Sequence, residues 1–385
     1  NLKIHILFLL GWISILVSCH GPRQSVVPEP GPSEIWSQID TFFAPPAQWV
    51  NQYGDFRSPL LFYNGDSVTT KKEWQVRRTE IKETWMDMMG EWPDLMEDQT
   101  LQIVDSVQQD GFMQYTVEFN WLPEEKTSGY LLVPDGKGQK PAVITVYYEP
   151  ETAAGLSDKV DRDFAYQLTQ RGFITLSLGT TQATADKTYS LYYPDIDHAE
   201  IQPLSMLAYA AANAWYALSH HPEVDEDRIG ITGHSFGGKW SMFASCLFDK
   251  FACAAWSDPG IVFQNDRPSI NYWEPWYLGY HPRPWRERGL ITDNNPAFGL
   301  YPELLEEGFN LQELHALMAP RPFLVSGGSE DPPSRWIPLN HAVQVNKLLG
   351  YDDRVAMQNR PDHSPNPHSN EVLYQFFEFW LKGEN

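Results

Sequence analysis

A chain of 385 residues with 42% apolar residues and 15 tryptophans can build one large α/β domain or two ordinary ones, and its composition is globular rather than disordered. A net charge of −22 argues against nucleic acid as a partner, because there is no basic surplus to neutralise phosphates. The three cysteines show no zinc-site spacing, and neither a metal nor a cofactor is expected.

At the N-terminus, Lys3 precedes an apolar run that is interrupted by His5, Gly11 and Ser14. The run is short for a membrane span and has the size of a signal-peptide hydrophobic region. It ends in Leu16-Val-Ser-Cys19, which resembles a bacterial lipoprotein box. Residues 1–18 are therefore expected to be a signal peptide and Cys19 a lipidated residue. This predicts an exported protein held to a Gram-negative membrane, on the periplasmic face or the cell surface. A plain secretory signal with an incidental cysteine is the alternative. Residues 19–35 are proline-rich and read as an extended tether. A single catalytic domain is expected over residues 36–385.

Residues 69–91 predict a helix with Trp74, Ile81, Trp85 and Met88 as its apolar stripe, and residues 101–133 predict paired antiparallel strands. Strand and helix patterns then alternate. Strands are expected at 141–147, 173–178, 228–232, 252–257, 322–326 and 354–357. Helices are expected at 161–170, 205–220, directly after Ser235, at 339–349 and at 370–381. Such alternation predicts an α/β fold: a mostly parallel sheet of about eight or more strands with helices on both faces. Residues 259–315 interrupt the alternation. They are too aromatic for disorder and are expected to form a cap over the site. Cys246 and Cys253 fall on the helix after Ser235 and on the next strand, where buried free thiols are expected.

Residues 228–240, RIGITGHSFGGKW, read as a strand, a sharp turn and the start of a helix. Ser235 stands between Gly233 and Gly237 in the G-x-S-x-G pattern, where a strained turn lifts a nucleophilic hydroxyl above a sheet edge. A serine hydroxyl needs an adjacent base, and the base needs a carboxylate to hold its tautomer. The chain order for this pattern is Ser, then Asp or Glu, then His. The loop Gly327-Gly-Ser-Glu-Asp331 offers Asp331 as the acid. Glu330 beside it and Asp258 at the end of the strand after the elbow helix are alternatives. His363 follows the final strand and is the expected base. His368 lies at the mouth of the closing helix, facing solvent, and His234 is inside the elbow, unable to turn back on Ser235, while the other histidines, His315 and His341 among them, read as loop or surface residues. The oxyanion donors are expected to be the backbone amides of Phe236 and Tyr148.

The segment from His221 to Gly238, together with the loops bearing Asp331 and His363, resembles the α/β-hydrolases of the dienelactone hydrolase, acetyl xylan esterase and prolyl oligopeptidase branch. The resemblance spans about residues 131–381 and implies an α/β-hydrolase fold. Glucuronoyl esterases, some of which take their acid from the strand bearing Asp258, belong to the wider group. No propeller domain accompanies this sequence, which argues against peptide specificity. The resemblance implies a serine esterase cleaving a carboxylic ester on a plant or algal oligosaccharide, either an acetyl, a methyl-uronate or a glucuronoyl ester. A peptidase or a general small-ester hydrolase is the alternative. In the cap, Trp273, Trp276, Tyr277 and Trp285 suit stacking on sugar faces and Arg283 suits a carboxylate. The competing reading makes the cap aromatics core and pairs its arginines with nearby acids such as Asp266 and Glu287.

Overall fold

Nine strands form one sheet in the order β1-β2-β3-β5-β4-β6-β7-β8-β9. They are β1 Gln102–Gln109, β2 Phe112–Leu122, β3 Glu125–Pro134, β4 Lys140–Tyr147, β5 Ile174–Gly179, β6 Val224–His234, β7 Cys253–Ser257, β8 Phe323–Gly327 and β9 Val355–Asn359. The structure is a computed structural model and describes residues 31–383. The expected signal peptide, Cys19 and most of the tether lie outside those residues. From Pro32 onward the chain is one compact unit.

β1, β2 and β3 form an antiparallel meander that joins β5, and β5, β4, β6, β7, β8 and β9 run parallel. The parallel strands are apolar almost throughout because helices cover both faces. Period-two alternation divides β4 between the two layers. Ala142, Ile144 and Val146 enter one core and Val143 and Tyr147 the other. The first core takes helices Lys71–Met89, Pro203–Ser219 and Phe236–Leu247. The second takes Phe164–Gln170 and Pro367–Phe377. β1 is an exposed edge strand that carries Ile103, Val104 and Val107 among its Gln, Asp and Ser residues.

Three local expectations change. Pro32–Ile39 is helical where the tether was expected to run to residue 35, because Ile35 and Ile39 bury against the second core. In the helix Lys71–Met89 the buried face is Trp74, Arg77, Ile81, Trp85 and Met89. Met89, four residues after Trp85, keeps the helical stripe that Met88 leaves. Arg77 is buried on that face and pairs with Glu313 at 3.2 Å. His315 and His341, read from sequence as loop or surface residues, are buried on helices. Among the described residues no helix is long and apolar enough to cross a membrane.

The chain passes from β4 to β5 on one side and then to β6 on the other. Strand order therefore reverses about β4, and the crevice beyond the carboxyl ends of these strands is where open α/β sheets bind ligands. In register, Val146 pairs with Gly233, His234 with Ser257, and Ser257 with Ser326. Ser235 and Asp258 thus emerge side by side, one residue beyond the ladder.

Candidate active site

Ser235 caps the helix Phe236–Leu247 with φ 58° and ψ −113°, a left-handed backbone that non-glycine residues rarely adopt. The turn is held by the Ser235 N–H, which donates to the Ser257 carbonyl at 2.8 Å. It is this tight because of its glycines. A β-carbon on Gly237 would overlap the Val146 carbonyl oxygen, and one on Gly233 would overlap the carbonyls of Gly237 and Val146. Strained residues of this kind persist where the surrounding structure over-determines them.

The imidazole of His363, on the loop after β9, stands beside the serine. Its Nε2 is 2.8 Å from Ser235 Oγ. Its Nδ1 is 2.7 Å from Asp258 Oδ2. The carboxylate facing His363 is therefore Asp258, and not Asp331 as the loop spacing predicted. Asp258 is fully buried, with φ 48°. It also accepts from the backbone amides of Gly328 at 2.6 Å, Asp331 at 2.9 Å and Glu330 at 3.3 Å.

Asp331 turns the other way. Its carboxylate accepts from the amides of Gly260 and Ile261, each at 2.7 Å, and Arg335 Nε lies 3.4 Å away. Burial, reinforced by the neighbouring Asp258 charge, raises its pKa. Glu330 also faces away from His363. It accepts from Arg267 at 2.9 Å and Ser269 at 3.0 Å, which ties residues 259–315 to the β8 loop.

Arg360 was not singled out from sequence, and it braces the histidine loop. Its guanidinium donates to the His363 carbonyl at 2.8 Å, the Ser326 carbonyl at 2.8 Å and Ser257 Oγ at 3.2 Å, while Nε donates to the Ser364 carbonyl at 2.8 Å. One planar fork thereby joins the loop to the ends of β7 and β8. His234 lies beneath His363, with ring centroids 4.7 Å apart, and its Nδ1 is 3.0 Å from Ser257 Oγ. Burial, and next the His363 charge, push its pKa well below the usual histidine range. His368 is exposed on the first turn of the closing helix.

Beside Ser235 is a cavity of 350 Å³ lined by Tyr147, Tyr148, Lys159, Arg162, His234 and His363. Tyr148 stacks on Phe236, with centroids 4.6 Å apart and planes at 15°, so the β4 loop rests on the elbow helix. The two cations reach the cavity from the loop before Phe164–Gln170. Arg162 donates to Ser364 Oγ at 3.1 Å and Lys159 pairs with Glu149 at 2.7 Å. Neither carried a sequence signal, because only folding brings that loop to the mouth of the site.

The cap residues do not line this cavity. Trp273 and Tyr277 are buried in the first core, so they serve packing rather than a sugar-binding face. Lys239 lies beneath Tyr272 and Tyr277 and donates to the Pro259 carbonyl at 2.5 Å, and burial pushes its pKa down to about 8. Trp276 and Trp285 are half-buried. They meet Tyr189 at 4.9 Å and Tyr192 at 6.0 Å, both on the segment after β5. Arg283 is exposed and pairs with Asp197 at 3.0 Å, while Arg286 pairs with buried Glu274 at 3.5 Å. The acids that hold these arginines are thus Asp197, Glu274 and, for Arg267, Glu330, rather than Asp266 and Glu287.

A largely parallel sheet with a serine elbow after β6, an acid after β7 and a histidine after β9 defines the α/β-hydrolase class. Within that class, the model Abhydrolase_7, described as an abhydrolase family, matches residues 54–345, and the chain belongs to that family. The fold is shared with solved structures of low identity. A glucuronoyl esterase from Solibacter usitatus superposes with a TM-score of 0.66 at 17% identity, covering 84% of this chain and 97% of that one. A carbohydrate esterase family 15 glucuronoyl esterase from Caldicellulosiruptor kristjansonii gives 0.61 at 19% identity, covering 89% and 94%. A putative acetyl xylan esterase from Bacteroides fragilis gives 0.54 at 15% identity, covering 87% of each chain. No curated protein matches the sequence.

Proposed function

We propose that the protein is a serine esterase that cleaves a carboxylic ester on a plant or algal oligosaccharide, and that a uronate ester is its substrate. The observation that carries this reading is the bridge made by His363, 2.8 Å from Ser235 Oγ on one side and 2.7 Å from Asp258 on the other. The carbohydrate part is supported by the glucuronoyl and acetyl xylan esterases that share the fold, and by Lys159 and Arg162 beside Ser235 in an otherwise acidic chain.

In this reading Ser235 Oγ attacks the ester carbonyl while His363 Nε2 takes its proton, and Asp258 holds Nδ1–H and stabilises the imidazolium. The backbone amides of Phe236, at the helix N-terminus, and of Tyr148 donate to the oxyanion, and losing one such donor costs about 3–4 kcal/mol of barrier lowering. Collapse expels the alcohol of the ester, which takes the proton from His363. Water, deprotonated by the same imidazole, then releases the acid and restores Ser235. Lys159 and Arg162 donate to the hydroxyls and ester oxygens of a uronate ester, and they attract substrates that carry a further, free carboxylate elsewhere.

A fluorophosphonate probe is expected to label the protein and not the Ser235→Ala variant, and equal labelling excludes Ser235 as the nucleophile. Wild-type protein is then incubated with methyl and benzyl glucuronate esters, pectin and acetylated xylan. Cleavage of a peptide amide with no alcohol or acetate released from these substrates rejects the carbohydrate-ester reading. We further propose a lipid anchor at Cys19. Metabolic palmitate labelling that persists in Cys19→Ser rejects it.

A further inference from the structure

A second and larger cavity, of 660 Å³, opens on the same edge of the sheet, between the start of β3 and the end of β5. Its volume lies in the range of ligand pockets, about 300–1,000 Å³. Gly179 on its wall is the register partner of Tyr147 on the wall of the Ser235 cavity, so the two openings lie on neighbouring strands. Tyr189 stands between them. Its ring meets Tyr148 at 6.1 Å and Trp276 at 4.9 Å, and the next residue, Ser190, lines the second cavity.

Three features of this cavity point to a ligand. Ser190 is 2% exposed, and its hydroxyl has no hydrogen-bond partner among the described residues. A buried polar group left unpaired is destabilising, and a ligand or water hydroxyl recovers that loss. The half-buried ring of Tyr192, held by Trp285 at 6.0 Å, supplies flat apolar surface of the kind that covers pyranose faces. Lys187 and Tyr189 have φ 59° and 58°, a strain that the segment keeps where it separates the two cavities.

The charge of the lining selects the ligand. Glu125, Asp186 and Asp195 face one cation, Lys126. Carboxylates accept hydroxyl hydrogens readily and repel uronates. The cavity beside Ser235 carries the opposite sign, from Lys159 and Arg162.

We propose that the cavity beside β3 and β5 is a carbohydrate subsite whose carboxylates accept from the hydroxyls of neutral pyranose units of the substrate's main chain, while the esterified uronate enters the cavity at Ser235. This inference rests on the esterase reading above. It assigns the 180–195 segment and the outer cap residues Trp276 and Trp285 to a ridge over which the chain passes from one cavity to the other.

The test uses the full protein. Ser235→Ala protein is titrated by calorimetry with neutral hexasaccharides of xylose, mannose, glucose and galactose, and one of them is expected to bind. Adding Asp186→Ala or, separately, Tyr192→Ala is expected to weaken that binding about tenfold, with thermal unfolding recorded alongside to exclude a folding defect. In protein retaining Ser235, the same two substitutions are expected to lower, about tenfold, the ratio of kcat/KM for an oligosaccharide ester to that for a monosaccharide ester. No binding of any hexasaccharide, or an unchanged ratio in both variants, overturns the subsite. The esterase reading fails on a different result, namely no alcohol released from any sugar ester by the wild type while hexasaccharide binding persists.

Discussion

Asp258 and Asp331 hold each other's loops. The backbone amide of Asp331 donates to Asp258 Oδ1 at 2.9 Å, and the carboxylate of Asp331 accepts from Gly260, two residues beyond Asp258, at 2.7 Å. Each acid is thus a cap for the other's turn, and only Asp258 faces His363. The division of labour gives a direct comparison. Asp258→Asn is expected to lower kcat on an activated ester about 1,000–10,000-fold, because the tautomer of His363 is no longer enforced. Asp331→Asn is expected to lower it less than about tenfold, because the loops shift only slightly. A larger loss in Asp331→Asn than in Asp258→Asn contradicts the assignment.

Arg360 donates to the backbone of the histidine loop, and its charge also lies near Asp258. Arg360→Ala is expected to lower kcat about 10–100-fold with little change in KM, since a misplaced base costs rate rather than binding. Arg360→Lys is not expected to restore it, because an ammonium cannot span the three strand and loop carbonyls as a planar fork does. Steady-state kinetics of the two variants decide the point.

A β-carbon on Gly237 would fall on the Val146 carbonyl group. Gly237→Ala is expected to destabilise the chain by about 3 kcal/mol or more, because both contacting groups are backbone and cannot yield by changing rotamer. Urea unfolding measures this, and a stability within 1 kcal/mol of the wild type shows that the elbow relaxes.

Glu274 sits buried against Arg286, and burial, opposed by that arginine, pushes its pKa from 4.5 up to about 7. Between those values the folded chain binds more protons at this site than the unfolded chain does. Its contribution to stability therefore falls as pH rises through the window. Glu274→Gln is expected to remove that slope, so the loss of stability between pH 5 and pH 8 shrinks by about 1–2 kcal/mol. Denaturant titrations of both proteins at the two pH values read it directly.

Arg162 and Lys159 supply the positive charge beside Ser235. Arg162→Ala is expected to raise KM about tenfold for an ester substrate bearing a free carboxylate and to leave a neutral ester of similar size less affected. The effect on the acidic substrate is expected to shrink in high salt. An equal change on both substrates removes the charge argument.

Much of the machinery was legible along the chain because it is local. The elbow needs a serine between glycines on a strand-to-helix turn, and Gly233, Ser235 and Gly237 spell that out within five residues. His363 could be placed by its position after the last strand. The alternation of apolar strands and helices predicted a sheet covered on both faces. The acid resisted because Asp258 and Asp331 both follow the ends of adjacent strands, and the direction of each side chain depends on a turn whose amides come from the other strand's loop. The cap aromatics resisted for a related reason. A tryptophan covers core or sugar equally well, and only the burial of Trp273 in the first core, against the partial exposure of Trp276 and Trp285, separates them.

The order of residues by itself determined the fold class, the serine and the histidine, because strand periodicity and a glycine-framed turn are written within a few consecutive positions. The tertiary structure alone decided which carboxylate meets the imidazole, that Arg360 braces the loop, and that the cavity beside the serine is cationic. Those outcomes depend on side chains far apart in sequence, as Arg162 and Ser364 are at 202 positions. Hydrogen-bond geometry at such range is set by strand register and buried turns rather than by any pattern along the chain.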